Sequence, residues 1–184
     1  MKFLSISVLW KGEIMFALKD KVMDKNGKIF TIVSIEQKDF GVGGEDYFVL
    51  EPCFRYDFNP GYMAYIPVAK SENLLKTIMT KEEATELVSQ IPDLEPLPEV
   101  APRERRVYFT KVISSGDRKE IMRVIKTLVT YREERRKMNK PFSDYDRRLL
   151  DSLKMMVDNE LSISLGISPD SVGSYILEKT GYVL

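Results

Sequence analysis

The chain has 184 residues, 43% of them hydrophobic, with 28 Lys/Arg against 28 Asp/Glu, one cysteine and no histidine. That length holds one large domain or two small ones, and the composition is that of a water-soluble globular protein. A single cysteine excludes an internal disulfide framework, and the lack of histidine removes the commonest general base and metal ligand, so zinc chemistry and most acid–base catalysis are disfavoured.

The neutral total conceals an uneven distribution. Residues 1–98 carry 11 Lys/Arg and 15 Asp/Glu, residues 99–184 carry 17 and 13, and the segment 103–148 alone carries 15 against 7. A basic segment of that size suggests contact with nucleic acid, and opposite charge on the two halves suggests two partners.

In chain order, Met1–Trp10 is apolar but too short to span a membrane, and it lacks the cleavage site of a signal peptide. Met15-Phe16 reads as a second plausible start, so residues 1–14 read either as an extension ahead of it or as a native part of the chain. From Met15 to Val68 branched and aromatic runs alternate with Asn26-Gly27, Gly41-Val42-Gly43-Gly44 and Asn59-Pro60-Gly61, a pattern of short strands and hairpin loops. Such strands are expected to bury a core by curling into a small barrel. Cys53, after Pro52, reads as a small buried apolar residue.

Beyond Val68 the period turns helical. Thr80 with Glu83 is a capping box for a helix to about Ser89. Pro92, Pro96, Pro98 and Pro102 then predict a stiff linker. A helix is expected over 104–113, interrupted by Ser115-Gly116-Asp117, and another to Lys137 with Ile121, Val124, Ile125, Leu128 and Val129 as its apolar stripe. Asn139-Lys140-Pro141 breaks the chain. Ser143 with Asp146 caps a helix to Leu165 that Gly166 closes, and Ser168-Pro169 opens the last helix. The signature Asn159-Glu160-Leu161-Ser162-Ile163-Ser164-Leu165-Gly166 ends the long helix.

Arginine and lysine bind phosphate by charge and donor geometry; the alternative is a solvated helix face balanced by Glu133, Glu134 and Asp144. The glycine-rich loop at 41–44 lacks the lysine and following helix of a phosphate loop and reads as a hairpin. Asp144 and Asp146, at a helix start, read as capping carboxylates rather than a metal pair.

With these residues in view, the chain resembles the CarD family of bacterial transcription regulators over most of residues 15–168. The matching residues are Phe16, Asp20-x-Val22, Ile32-x-x-Ile35-Glu36, Tyr47-x-Val49-Leu50 and Ile66-Pro67-Val68, then Arg105-Arg106, Ser115-Gly116-Asp117, Val124-Ile125-x-x-Leu128, Arg147-Arg148-Leu149-Leu150, Glu160-Leu161 and Leu165-Gly166. The resemblance implies an α+β protein: a Tudor-like β-barrel over residues 15–75, shared with the transcription-repair coupling factor, followed by an all-α domain over 76–184. It implies docking of the barrel on the RNA polymerase β subunit and non-specific, minor-groove contact of the helices with promoter DNA, stabilising the open complex. The expectation is a cytoplasmic monomer, not an enzyme, with no cofactor and no membrane association.

Carried over by position, the polymerase-binding set is Ile35, Glu36, Lys38, Tyr65 and Pro67, with Tyr65 replacing a basic residue of the family. The DNA-binding set is Pro102, Arg103, Arg105, Arg106, Lys111, Arg147, Arg148 and Lys154. Pro102 stands where the family has a wedging tryptophan; Val100 is another apolar candidate, and the sole tryptophan is Trp10. A protein–protein adaptor with the same barrel and no DNA wedging is the alternative expectation.

Overall fold

The computed structural model describes residues 7–10, 13–41, 43–56, 58–98 and 102–183. Pro102 and Arg103 enter only as backbone, and the side chains of residues 7–15, with the whole of Val100, lie outside the described residues. The chain divides into two units, Met1–Ile78 and Met79–Leu184.

In the first unit, β1 (Ser7–Trp10) and β2 (Glu13–Ala17) form an antiparallel hairpin. The main sheet holds β3 (Lys21–Asp24), β4 (Ile29–Lys38), β5 (Glu45–Pro52), β6 (Ala64–Pro67) and β7 (Leu75–Thr77) in the order β6-β5-β4-β3-β7, with every pairing antiparallel. Asp24 Oδ1 accepts from the backbone N–H groups of Asn26 (2.8 Å) and Lys28 (2.9 Å), and Gly27 at φ 77° completes the β3–β4 turn. Gly41 and Gly43, at φ near 90°, occupy the β4–β5 loop.

The expected closed barrel is replaced by an open sheet: β6 and β7 sit at opposite ends of the described order and do not pair. The core of Phe16, Val22, Phe30, Ile32, Phe48, Leu50 and Leu75 is covered by side chains instead, including Leu18 and, from the segment after β5, Phe58. Strand β7 falls where the sequence pattern reads as helical. A short helix, α1 (Ser71–Leu74), precedes it, and Val22 pairs with Thr77. Leu75 is buried, so a three-residue strand is held by the neighbour it meets rather than by its own propensity.

The second unit is helical: α2 (Lys81–Gln90), α3 (Pro102–Ser115), α4 (Arg118–Lys137), α5 (Asp144–Leu165) and α6 (Pro169–Thr180). The local signals operate as expected. Thr80 and Glu83 form the capping box, Ser143 caps α5, and Gly166 terminates α5 at φ 68°; Asp117, read from the sequence only as part of an interruption, caps α4. Ala84, Val88, Phe109, Met122, Ile125, Leu128, Leu150, Leu161, Val172 and Ile176 bring all five helices into one core.

The proline-rich stretch is not a spacer. Ile91, Leu94 and Leu97 are buried in this same core. Lys126 Nζ donates to the carbonyls of Ile91 (2.9 Å) and Pro92 (2.7 Å), Arg123 Nε donates to Glu95 O (2.9 Å), and Leu97 N–H donates to Thr127 Oγ1 (2.8 Å). After the single 3-10 turn of Ile91–Asp93 the prolines prevent a continuous helix, and every third side chain, Ile91, Leu94 and Leu97, is buried so that the stretch is fastened along α4 as a strap.

The boundary also dissolves the charge asymmetry. Acidic α2 belongs with the basic helices, so residues 1–78 carry 10 Lys/Arg against 10 Asp/Glu and residues 79–184 carry 18 against 18. Any electrostatic role therefore rests on local patches.

Candidate functional site

In the sheet unit, alternation sorts the expected contact residues by face. Ile35 pairs with Phe48, and both belong to the apolar core side. Glu36 pairs with Tyr47, and Tyr47 with Pro67 on its other flank, so Glu36 and Pro67 share the opposite face. Lys38 and Tyr65 fall on that face too: Lys38 Nζ lies 5.7 Å from the Tyr65 ring centroid and 2.8 Å from Glu36 Oε2. Hydrogen bonds from Lys38 and from Ser34 hold the Glu36 carboxyl below its ordinary range, and Glu36 in turn raises Lys38.

Phe40, which sequence reasoning did not single out, completes this patch. Its ring meets Tyr47 at 5.0 Å and Tyr65 at 5.7 Å, edge-on, and it remains 59% exposed. The patch borders β6, an edge strand of the sheet, beside exposed Tyr62, Met63 and Tyr65. A short aromatic-flanked edge strand can accept an added strand through its free main-chain groups. Cys53 is half-buried beside the Thr31 hydroxyl (3.2 Å), more polar surroundings than expected.

In the helical unit, the arginines separate into fastened and exposed. Arg105 is fastened: its side chain is 14% exposed, NH1 lies 3.5 Å from Asp146 Oδ2, and its guanidinium rests 4.4 Å from the Tyr131 ring centroid. Asp146 also accepts from the Ser143 hydroxyl (2.8 Å), so the helix cap and the arginine share one carboxylate. Arg118, Arg123 and Lys126 are likewise committed to Glu160, to Glu120 with Glu95 O, and to the strap.

The Asn159–Gly166 signature is explained by packing. Glu160 Oε1 receives Arg118 and the backbone N–H of Met79 (3.0 Å), and Ser164 Oγ donates to Met79 O (2.7 Å). These side chains join the entry of the unit to α4 and α5.

The exposed cations gather at one end, where the first turn of α3, the last turns of α4 and the first turn of α5 meet. Arg106, Arg136, Lys137, Lys140, Arg147 and Arg148 are exposed there. Arg106 lies 4.3 Å over the Tyr145 ring, Arg147 pairs loosely with Asp144 (3.6 Å), and Arg148 Nε reaches Asp144 O (3.3 Å). Residues 103–106 and 131–148 together hold 10 Lys/Arg against 5 Asp/Glu. Lys111 is exposed farther along α3, and Lys154 is half-buried on α5 near Asp158. Tyr131 and Tyr145 were not singled out from the sequence, because the arginines stacked closest on them are 26 and 39 residues away.

Among the described residues no group of three or more His, Cys, Asp or Glu could hold a metal ion, and no described helix is long and apolar enough to cross a membrane. Neither a protein-family model nor a curated protein matches the chain.

Proposed function

We propose that this chain is a CarD-like regulator of bacterial transcription that works in the cytoplasm as a monomer. Its sheet unit docks on the RNA polymerase β subunit, and its helical unit holds promoter DNA without reading sequence, altering the stability of the open complex. It acts by binding, not catalysis. The observation that carries this reading is the meeting of three helix ends that leaves six Lys/Arg side chains exposed on one end of a unit with no net charge. Guanidinium and ammonium groups so arranged bind a phosphate backbone and release its counterions. The docking half is supported by the Lys38–Tyr65–Phe40 patch beside the β6 edge.

Replacing Arg106, Arg147 and Arg148 together by alanine in the full chain tests the DNA half. Affinity for a short duplex should fall, and the salt dependence should flatten by about one unit for each phosphate no longer engaged. Unchanged affinity and slope would remove DNA from the proposal. Lys38→Glu should likewise abolish co-purification with the polymerase β subunit.

The adaptor reading has one observation in its favour: Arg105, Arg118, Arg123 and Lys126 are spent on the fold itself. Polymerase binding without any effect on promoter opening would select it.

A further inference from the structure

Between α3 and the start of α5 lies a cleft of about 300 Å³ lined by Arg105, Arg106, Tyr131, Ser143, Tyr145 and Asp146. Its walls are two guanidinium–ring stacks, Arg105 on Tyr131 (4.4 Å) and Arg106 on Tyr145 (4.3 Å). Aromatic rings and guanidinium planes are the surfaces on which unstacked bases lie in single-stranded nucleic acid complexes. The volume is at the small end for a ligand cleft.

The charges suit such an occupant. Asp146 would repel a phosphate if it were free, but Arg105 and the Ser143 hydroxyl both engage its Oδ2. Asp144, just outside, faces Arg147 at 3.6 Å. The two lining arginines thus outnumber the one lining carboxylate, and Arg147 and Arg148 follow Tyr145 closely on α5.

We propose that this cleft receives one unstacked base of a single strand, with the flanking phosphates held by Arg147 and Arg148. The inference rests on the DNA reading above and deepens it: the helical unit prefers a melted edge to a closed duplex. Recognition is by stacking, so it tolerates any base. Preference for melted strand lowers the free energy of the opened state relative to the closed one.

The test uses the full chain and an oligodeoxynucleotide carrying 2-aminopurine at its centre, single-stranded, annealed to its complement, and as the ribonucleotide counterpart. The single strand should bind more tightly than the duplex and change the 2-aminopurine emission; the ribonucleotide arm tells whether a DNA or an RNA strand is the better source of the base. Tyr145→Leu should remove the emission change and weaken single-strand binding about tenfold, while duplex binding changes little. Tyr145→Phe keeps the ring and should retain both signals, which separates stacking from a folding defect. Duplex binding with no emission change on any strand would overturn the base cleft and leave the phosphate surface standing. No binding to any of the three would overturn both.

Discussion

The guanidinium of Arg118 donates from Nε (2.9 Å) and from a terminal nitrogen (2.6 Å) to a single oxygen of Glu160, whose side chain is 4% exposed while that of Arg118 is 31% exposed. The buried carboxylate is therefore neutralised from one side by a cation that still reaches water, and from the other by the Met79 N–H. A buried charge stripped of its partner is costly, whereas removing both partners is not.

Arg118→Met should accordingly lower stability by about 3 kcal/mol in urea unfolding, because it leaves the buried Glu160 carboxylate without its cation. The double substitution Arg118→Met with Glu160→Leu should recover most of that loss. Additive losses in the double variant would show that the pair does not act as a unit.

Asp158 on α5 supplies a pH dependence. Burial pushes its carboxyl up to about 6 from an ordinary 3.8, against the opposing pull of Lys154. The folded chain binds more protons than the unfolded chain between those values. Stability from this group is thus greatest at low pH and falls as pH rises through about 6. Asp158→Asn should stabilise the chain at pH 7 by about 1 kcal/mol, a figure reduced from the full shift because the side chain is partly solvated. It should also flatten the difference between unfolding midpoints at pH 5 and pH 7.

Lys126 fastens the proline-rich strap by two short bonds to backbone carbonyls and lies 4.7 Å from the Tyr182 ring. Lys126→Met preserves the packing of its stem but leaves the Ile91 and Pro92 carbonyls without this donor. Global stability should drop by about 2 kcal/mol. Hydrogen exchange should accelerate first at the Leu94 and Leu97 amides, since the strap opens before the helices.

Arg105 and Arg106 are neighbours with opposite expected behaviour. Arg105→Ala removes the partner of Asp146 and the stack on Tyr131, so the melting temperature should fall by several degrees. Arg106→Ala should leave the melting temperature nearly unchanged and weaken nucleic-acid binding, because its side chain is exposed. Thermal melts and binding titrations on the same two variants separate these outcomes.

How far the sequence alone reached depended on range. Thr80 with Glu83, Ser143 with Asp146, Gly166 and Ser168-Pro169 mark helix ends through bonds spanning a few residues, and those ends lie where the pattern puts them. The stripe of Ile121, Val124, Ile125, Leu128 and Val129 likewise declares the buried face of α4, because helical periodicity is local geometry. Strand β7 had no such signal, since three residues beside β3 owe their state to a partner some fifty positions earlier.

The same limit governs the functional surface. Composition announced a basic segment, but only the tertiary structure decided that Arg105, Arg118 and Lys126 face carboxylates and carbonyls while Arg106, Arg147 and Arg148 face water. It also turned a proline linker into a strap and left the sheet open. Residue type determines what charge or shape is offered. Contacts between residues far apart in the chain determine which of those offers are already taken.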